Sequence, residues 1–461
     1  MAKSMVSLNV AARFSPTMAA SRHLVLGAGL VSRPLIEYLS RDAARAVVVA
    51  SASPDELAAV RKAFAARPNV EAARLDVAGD APGLAALVGS ARVVTSLLPA
   101  AMHGAVADAA LRSPAPPDVV TASYVGEMAD RDAEARSRGV RIVCEAGLDP
   151  GMDHMAAVKL VHEAAGRGEV VTAFRSVCGG LPAPDVAAEV PGLRYKFSWS
   201  PRGALAAAFN AASWVEDGRL VEVPGSELLA SAVPVDPSAF AAFGDFDLEC
   251  LPNRDSRPYR AKYGLDDAAT VFRGTLRYRG GSAALKGLAD LGLLDDVAAA
   301  GGETWADRVA SLATSRPGAA ADLAAWVAAR GGAAAAAPMR ASVLDATCDA
   351  LGAALAYGPG ERDVTLLRNE IEVENPRTGE RERRAASLVV FGDDENTAMA
   401  KTVGLTAAVV ADALGRDATA VRPGVSTPAD PRVGGPALAA LEREGLAFEH
   451  DAAAIYGTAH G

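Results

Sequence analysis

A short apolar run, His23 to Leu26, ends in Gly27-Ala28-Gly29, and apolar residues then recur at helical spacing at Leu30, Val31, Leu35, Ile36 and Leu39. A second continuous apolar run occupies 46–50, 73–77 reads as a third strand, and 93–98 and 119–122 are further short apolar runs, with helical segments such as 54–66 between them. Strands that lack polar–apolar alternation need cover on both faces, and the intervening helices supply it. The alternation therefore predicts a parallel, doubly wound α/β sheet.

The two glycines sharpen that expectation. A glycine directly after the first strand permits a tight turn, and the next one lets backbone approach a pyrophosphate at the helix N-terminus. This predicts a Rossmann-type dinucleotide-binding domain, although Ser32 stands where the full fingerprint has a third glycine. The second strand ends in Ala50-Ser51-Ala52-Ser53, which offers neither an acid for the ribose of NAD nor an arginine for the 2′-phosphate of NADP. Without that phosphate partner the sequence favours NAD, with NADP as the alternative. Arg61 and Lys62 lie on the following helix as solvated residues. Asp76, at the end of the expected third strand, is assigned either to the adenine end of the cofactor or to a helix N-cap.

At 461 residues the chain exceeds one comfortable core, so two or three domains are expected. A net charge of −10 speaks against nucleic acid or an anionic membrane surface as partner. No apolar run reaches the roughly 20 residues that span a bilayer. The cysteines Cys144, Cys178, Cys250 and Cys348 are far apart, and the six histidines are scattered, so no metal is expected. Residues 1–22 carry Lys3, Arg13 and Arg22, and no acid precedes Glu37. They read as a flexible tail of a cytoplasmic protein, with a transit segment for a mitochondrion or plastid as the alternative.

Beyond residue 149 the pattern changes to longer, mixed elements with aromatic and basic residues, predicting a second α/β (α+β) sheet domain. Tyr195-Lys196-Phe197-Ser198-Trp199-Ser200 and Pro252-Asn253-Arg254-Asp255-Ser256 fit neither strand nor helix period. Cations and hydroxyls among aromatics suit a pocket for a small polyanionic molecule. Residues 283–358 are alanine-rich and predict a small helical insert, with 334–338 as loop or frayed helix. Strands return at 363–373 and 386–391, and a helix over 398–414 is expected to pack on the first domain. The resulting division is 23–147 with 393–461, 148–282 with 359–392, and 283–358 apart.

Several ordered segments resemble one family. They are Thr121-Ala122-Ser123-Tyr124, Gly147-Leu148-Asp149-Pro150-Gly151-Met152-Asp153-His154, Cys178-Gly179-Gly180-Leu181-Pro182-Ala183-Pro184, and the two segments above. Arg273-Gly274-Thr275-Leu276-Arg277-Tyr278 and Ala398-Met399-Ala400-Lys401-Thr402-Val403-Gly404 complete the series. It is similar to the glutamate-forming saccharopine dehydrogenases over about residues 23 to 450. The stretch 187–192 departs from the family's usual turn, and Leu367-Arg368-Asn369 stands where plant and animal members have a histidine pair. No second catalytic domain precedes the match, so the chain resembles the monofunctional form.

The resemblance implies oxidation of saccharopine with NAD(P)⁺ and water to glutamate and 2-aminoadipate 6-semialdehyde, in lysine metabolism. It places cofactor contacts at Gly27, Gly29, Leu30, Val31, Ser51, Asp76, Val77, Leu97 and Ser123. Substrate contacts fall at Ser123, Tyr124, Asp149, Lys196, Ser200, Arg254, Thr275 and Arg277, the cations meeting the three carboxylates. Asp149, Tyr124 and Cys178 are the candidates for proton handling. Asp149 as a helix cap, Cys178 as a buried hydrophobe and His154 as a structural helix residue are the alternatives weighed beside these roles. A homodimer through the second sheet is implied by the resemblance alone. Rival readings are a related amine dehydrogenase of the carboxynorspermidine or lysine type and a dinucleotide-binding scaffold without turnover.

Overall fold

Seven parallel strands form the first sheet of the computed structural model, which describes residues 22–237, 243, 244, 246–299, 301–339 and 341–455. They are β1 (His23–Leu26), β2 (Val47–Ser51), β3 (Val70–Arg74), β4 (Val93–Ser96), β5 (Asp118–Thr121), β6 (Arg141–Val143) and β15 (Gly424–Ser426). Their order is β15-β6-β5-β4-β1-β2-β3, so the winding reverses between β1 and β4. In such open sheets ligands bind outside the carboxyl ends of the strands at that reversal. Val25, Leu26, Val47, Val49 and Val93 are fully buried, as both-face cover requires.

The sequence predicted the third strand at 73–77, three residues too far along. The strand is Val70–Arg74, and among the described residues it pairs with β2 alone. An edge strand tolerates Glu71 and Arg74 in its ladder, so it carries no continuous apolar run for a sequence pattern to find. Leu75 instead joins the core beyond the strand's end.

Chain contacts group the described residues into two units, 22–159 with 399–448 and 160–398 with 449–455. The sequence put 449–461 with the first domain. Within 449–455, however, β16 (Glu449–Ala454) pairs antiparallel with β14 (Arg381–Phe391) of the second sheet. The helix Ala398–Arg416 is long and apolar enough by composition to cross a membrane, yet 72% of its most apolar stretch is buried inside the fold. Its Ala407 and Ala408 pack with Val25, Leu35, Ile36 and Val49 of the first unit, as expected of a core helix.

The second sheet has the order β10-β11-β12-β7-β13-β14-β16. Here β7 is Val170–Pro182, β10 Val233–Pro234, β11 Leu248–Pro252, β12 Thr270–Tyr278 and β13 Asp363–Glu374. A hairpin of β8 (Ala212–Glu216) and β9 (Arg219–Val223) joins it beside β12. Residues 283–358 are helical, and Trp305, Leu323, Val327 and Leu351 build their core together with Leu205 and Leu285. Within them, 332–336 forms a short helix rather than a loop.

Candidate active site

At the reversal of the first sheet, Gly27 takes a φ of 95°, a conformation that glycine adopts without the strain of a side chain. A Cβ there would lie 3.2 Å from the Leu97 carbonyl, so the glycine keeps the space between the ends of β1 and β4 open. Ser32, in the third-glycine position, donates its hydroxyl to the Gly29 carbonyl at 2.8 Å and starts the helix Ser32–Leu39. Leu30 beside it is exposed and Val31 half-buried. This cradle fits a dinucleotide pyrophosphate at the helix N-terminus.

Ser51 ends β2 where a ribose is read. Its hydroxyl donates to Glu56 Oε2 at 2.5 Å and accepts the Ser53 N–H at 3.0 Å. Glu56, which has no signal of its own in the sequence pattern, thus brings an acid to that position from the first turn of the next helix. Arg74 is the register partner of Ser51 on β3, exposed and without a hydrogen bond or ion pair among the described residues. An arginine beside Ser51 fits a 2′-phosphate, and the edge strand's displacement hid it from the sequence pattern. Arg61 instead donates to the Ala72 carbonyl at 3.4 Å. Asp76 does not cap the next helix. Asp80 does so, accepting the Gly83 N–H at 3.0 Å, while Asp76 accepts the Ala78 N–H at 3.1 Å. Val77 follows, packed against the first unit's core.

Two loops at the strand ends carry the proton-handling candidates. Tyr124 follows β5, and its hydroxyl lies 3.4 Å from Asp149 Oδ1. Asp149 precedes the helix Met152–Gly166 by three residues. The Gly151 N–H donates to Asp153 Oδ1 at 2.5 Å. Ser123, one residue before Tyr124, is held by His103, another residue without a sequence signal. His103 Nε2 lies 2.8 Å from Ser123 Oγ and 2.9 Å from Thr121 Oγ1, and Nδ1 lies 2.9 Å from Ser96 Oγ. Burial pushes this imidazole down to about 4, so it is neutral at physiological pH and ties the ends of β4 and β5 together.

In the second unit, Cys178 on β7 is the register partner of Thr275 on β12 and of Leu367 on β13. Partners in register share a face, and Arg277 follows Thr275 on it two residues along. The Arg277 guanidinium has no hydrogen bond or ion pair among the described residues, and its Nε is buried without a partner. It lies 5.8 Å from the centre of the Tyr195 ring, and burial pulls it below the usual guanidinium range. The buried hydroxyls of Ser198, Tyr357 and Thr365 in the same unit also lack hydrogen-bond partners.

The remaining expected contacts are differently placed. Lys196 donates to both oxygens of Glu361, at 2.7 and 2.6 Å, so its charge is matched inside the chain. Ser200 is exposed and caps the helix Pro201–Ala207, accepting the Gly203 N–H at 3.2 Å. Arg254 does not stand beside Arg277. Arg277 is the register partner of Glu249 in β11, whereas the residue before Arg254, Asn253, donates its N–H to the Arg273 carbonyl at 2.8 Å, four residues earlier on β12. Arg254 is exposed and holds a left-handed φ of 52°. The four cysteines are buried and form no disulfide, and among the described residues no cluster of His, Cys, Asp or Glu is arranged to hold a metal ion.

In the first unit, a dinucleotide cradle at the strand ends of a doubly wound sheet fits an oxidoreductase. Two family models match, the saccharopine dehydrogenase NADP binding domain over residues 23–143 and the saccharopine dehydrogenase C-terminal domain over 147–446. The chain belongs to the saccharopine dehydrogenase family. A saccharopine dehydrogenase [NADP(+), L-glutamate-forming] of Schizosaccharomyces pombe is 33% identical over 93% of this chain and 98% of its own length. The mitochondrial alpha-aminoadipic semialdehyde synthase of Mus musculus is 35% identical over 92% of this chain and 47% of its own. The chain thus spans about half the length of the mammalian relatives it matches. The apo saccharopine dehydrogenase (L-Glu forming) of Saccharomyces cerevisiae superposes with a TM-score of 0.78 at 31% identity, covering 94% of this chain and all of that one.

Proposed function

We propose that the protein oxidises saccharopine with NADP⁺ and water, releasing glutamate and 2-aminoadipate 6-semialdehyde. The observation that carries this reading is Arg277, whose guanidinium makes no hydrogen bond or ion pair among the described residues, while the oxygens of its neighbour Glu249 accept the Gly280 and Ser282 N–H groups. Leaving such a group unpaired is costly, and a substrate carboxylate removes the cost. The names of the fungal relatives support both the substrate and the choice of NADP, and Arg74 beside Ser51 supplies a partner for its phosphate.

The cofactor supplies an acceptor for the hydride, which leaves the carbon destined to become the aldehyde. The secondary amine becomes an imine as its proton departs. Water adds to that carbon, the carbon–nitrogen bond breaks, and the glutamate nitrogen leaves with a proton. Asp149 and Tyr124 take and return these protons in this reading, their 3.4 Å separation being a contact that can shorten with substrate present. Arg277 orients a carboxylate, with Thr275 and Cys178 lining the same face. Arg254 takes a second carboxylate, and Lys196 stays with Glu361. The reading places the enzyme in the cytoplasm, and the mitochondrial name of the mouse relative supports an organelle as the alternative.

The test is the absorbance rise of NADPH when the purified chain meets saccharopine and NADP⁺. No rise with either NADP⁺ or NAD⁺, in a folded preparation, sinks the reading.

A further inference from the structure

Tyr124 is bracketed by one residue. The Glu145 backbone N–H donates to the Ser123 carbonyl at 2.9 Å, and Glu145 Oε1 accepts the Val125 N–H at 3.2 Å. The peptide groups on both sides of Tyr124 are therefore held by Glu145. Its own backbone sits at φ 62°, in the left-handed region that costs a side-chain-bearing residue energy. Glu145 is 3% exposed, so its carboxylate has left water to be there.

The second oxygen of that carboxylate reaches the other loop. Glu145 Oε2 lies 2.7 Å from His154 Nε2, on the helix that follows Asp149. His154 is fully buried, and its Nδ1 lies 3.7 Å from Asp153 Oδ2. Asp153 in turn fixes the Asp149 turn, since its Oδ1 accepts the Gly151 N–H and its N–H donates to the Leu148 carbonyl at 3.1 Å. One chain of contacts, Glu145–His154–Asp153, thus joins the loop bearing Tyr124 to the turn bearing Asp149.

We infer that Glu145 and His154 are positioning residues for the proton-transfer step, setting the phenol of Tyr124 against the carboxylate of Asp149. The inference rests on the proposed roles of Tyr124 and Asp149. A buried charged side chain in a strained backbone is poor material for stability alone, because burying an acid and a histidine costs desolvation. Strain of this kind persists where the surroundings over-determine it, and such residues cluster at functional sites.

The test pairs Glu145→Gln and His154→Gln with Tyr124→Phe in double-mutant cycles. Glutamine at 145 still accepts the Val125 N–H but carries no charge for His154, and glutamine at 154 keeps a donor near Glu145. Each single variant is expected to lower kcat by roughly 10-fold or more, with the Kd for NADPH nearly unchanged. In the Tyr124→Phe background the same changes should cost less than about 2-fold, because residues acting through one group are not additive. Fully additive losses overturn the inference.

A second measurement needs no turnover. In substrate-free protein isotope-labelled at the tyrosine phenol carbon, the Tyr124 resonance is assigned with Tyr124→Phe and followed through a pH titration. Its shift or titration should change in both glutamine variants and stay fixed in a remote control such as Arg377→Gln. An unmoved Tyr124 signal in folded Glu145→Gln and His154→Gln overturns the inference even if saccharopine proves not to be the substrate. A wild type inactive on saccharopine whose Tyr124 signal moves as expected leaves the positioning intact and removes only the substrate.

Discussion

Gly404 stands against the first turn of the dinucleotide helix so closely that a Cβ on it would lie 2.5 Å from the Val31 carbonyl oxygen and 3.4 Å from the Leu35 nitrogen. In the usual fingerprint a third glycine permits close packing around that helix. Here Ser32 occupies its place, and Gly404 permits close packing from the other side, far along the chain. Gly404→Ala should therefore push the helix away from the β1–β4 gap. A loss of about 1–3 kcal/mol is expected from overpacking, with the Kd for NADPH rising as the cradle shifts. Thermal midpoint and fluorescence titration together check this. An unchanged Kd in a destabilised variant would confine Gly404 to packing.

Cofactor choice depends on two side chains of opposite sign flanking Ser51, namely Glu56 and Arg74. Arg74→Ala should weaken NADPH binding by about 1.5–3 kcal/mol, the range of a hydrogen bond to a charged group, and leave NADH unaffected. Glu56→Gln should do the reverse for NADPH, removing a repulsion while keeping an acceptor for Ser51. Direct binding titrations of both cofactors decide the matter without any substrate. Equal changes for NADH and NADPH would remove both residues from the phosphate.

The parallel sheet was legible because fully buried strands are written as continuous apolar runs, as at Val47 to Ala50. Where a strand lies at an edge that writing fails, and with β3 the position of Arg74 was lost. Glu145 and His103 left no trace either. A buried acid or imidazole has no period of its own, and its partners Val125, His154 and Ser123 come from other elements. The Lys196 segment was read as ligand-facing from its residue types. Only the fold shows that Glu361, 165 residues later, already holds that charge. Residue types announce that a charge needs a partner; they do not say whether the partner is the chain or a ligand.

Arg277→Met separates those two cases. If the guanidinium waits for a substrate carboxylate, the variant should bind saccharopine more weakly by about 2–5 kcal/mol, read as a raised KM. Its folding stability should be unchanged or higher, because a half-buried cation without an ion pair among the described residues has been replaced by an apolar side chain of similar length. A variant that loses stability and keeps its KM would make Arg277 a structural cation.

Two buried imidazoles set the acid limb of stability. Burial pushes His103 down to about 4, and burial with Arg45 nearby pushes His23 down to about 3. Both are neutral when folded and take up a proton when unfolded below about pH 6.5, so the unfolded state binds more protons there. Stability should fall as pH drops from about 6.5 towards 4, with His103 contributing about 3 kcal/mol across its window. His103→Asn should flatten that slope in denaturant titrations run at several pH values. An identical slope in the variant would show that His103 protonates without cost.

Asp149 is best tested by a change that leaves its shape alone. Asparagine keeps the side chain's shape and an acceptor oxygen and is itself a preferred capping residue, so Asp149→Asn should leave the thermal midpoint close to that of the wild type. The amide oxygen can still meet the Tyr124 hydroxyl, now at 3.4 Å from Oδ1, and the turn held by Asp153 is untouched. What disappears is the capacity to take a proton and the negative charge beside a developing iminium. A positioned acid–base group contributes roughly 10²–10⁴-fold, so kcat should fall by about 10²-fold or more. The acidic limb of the kcat/KM profile should change shape as well, since the group titrating there is gone. Tyr124→Phe should share part of this loss, and combining it with Asp149→Asn should cost less than the sum, because the two act on one proton. A folded Asp149→Asn enzyme with near-normal kcat would pass the proton to Tyr124, Cys178 or the substrate's own amine, and would leave Asp149 as a turn residue.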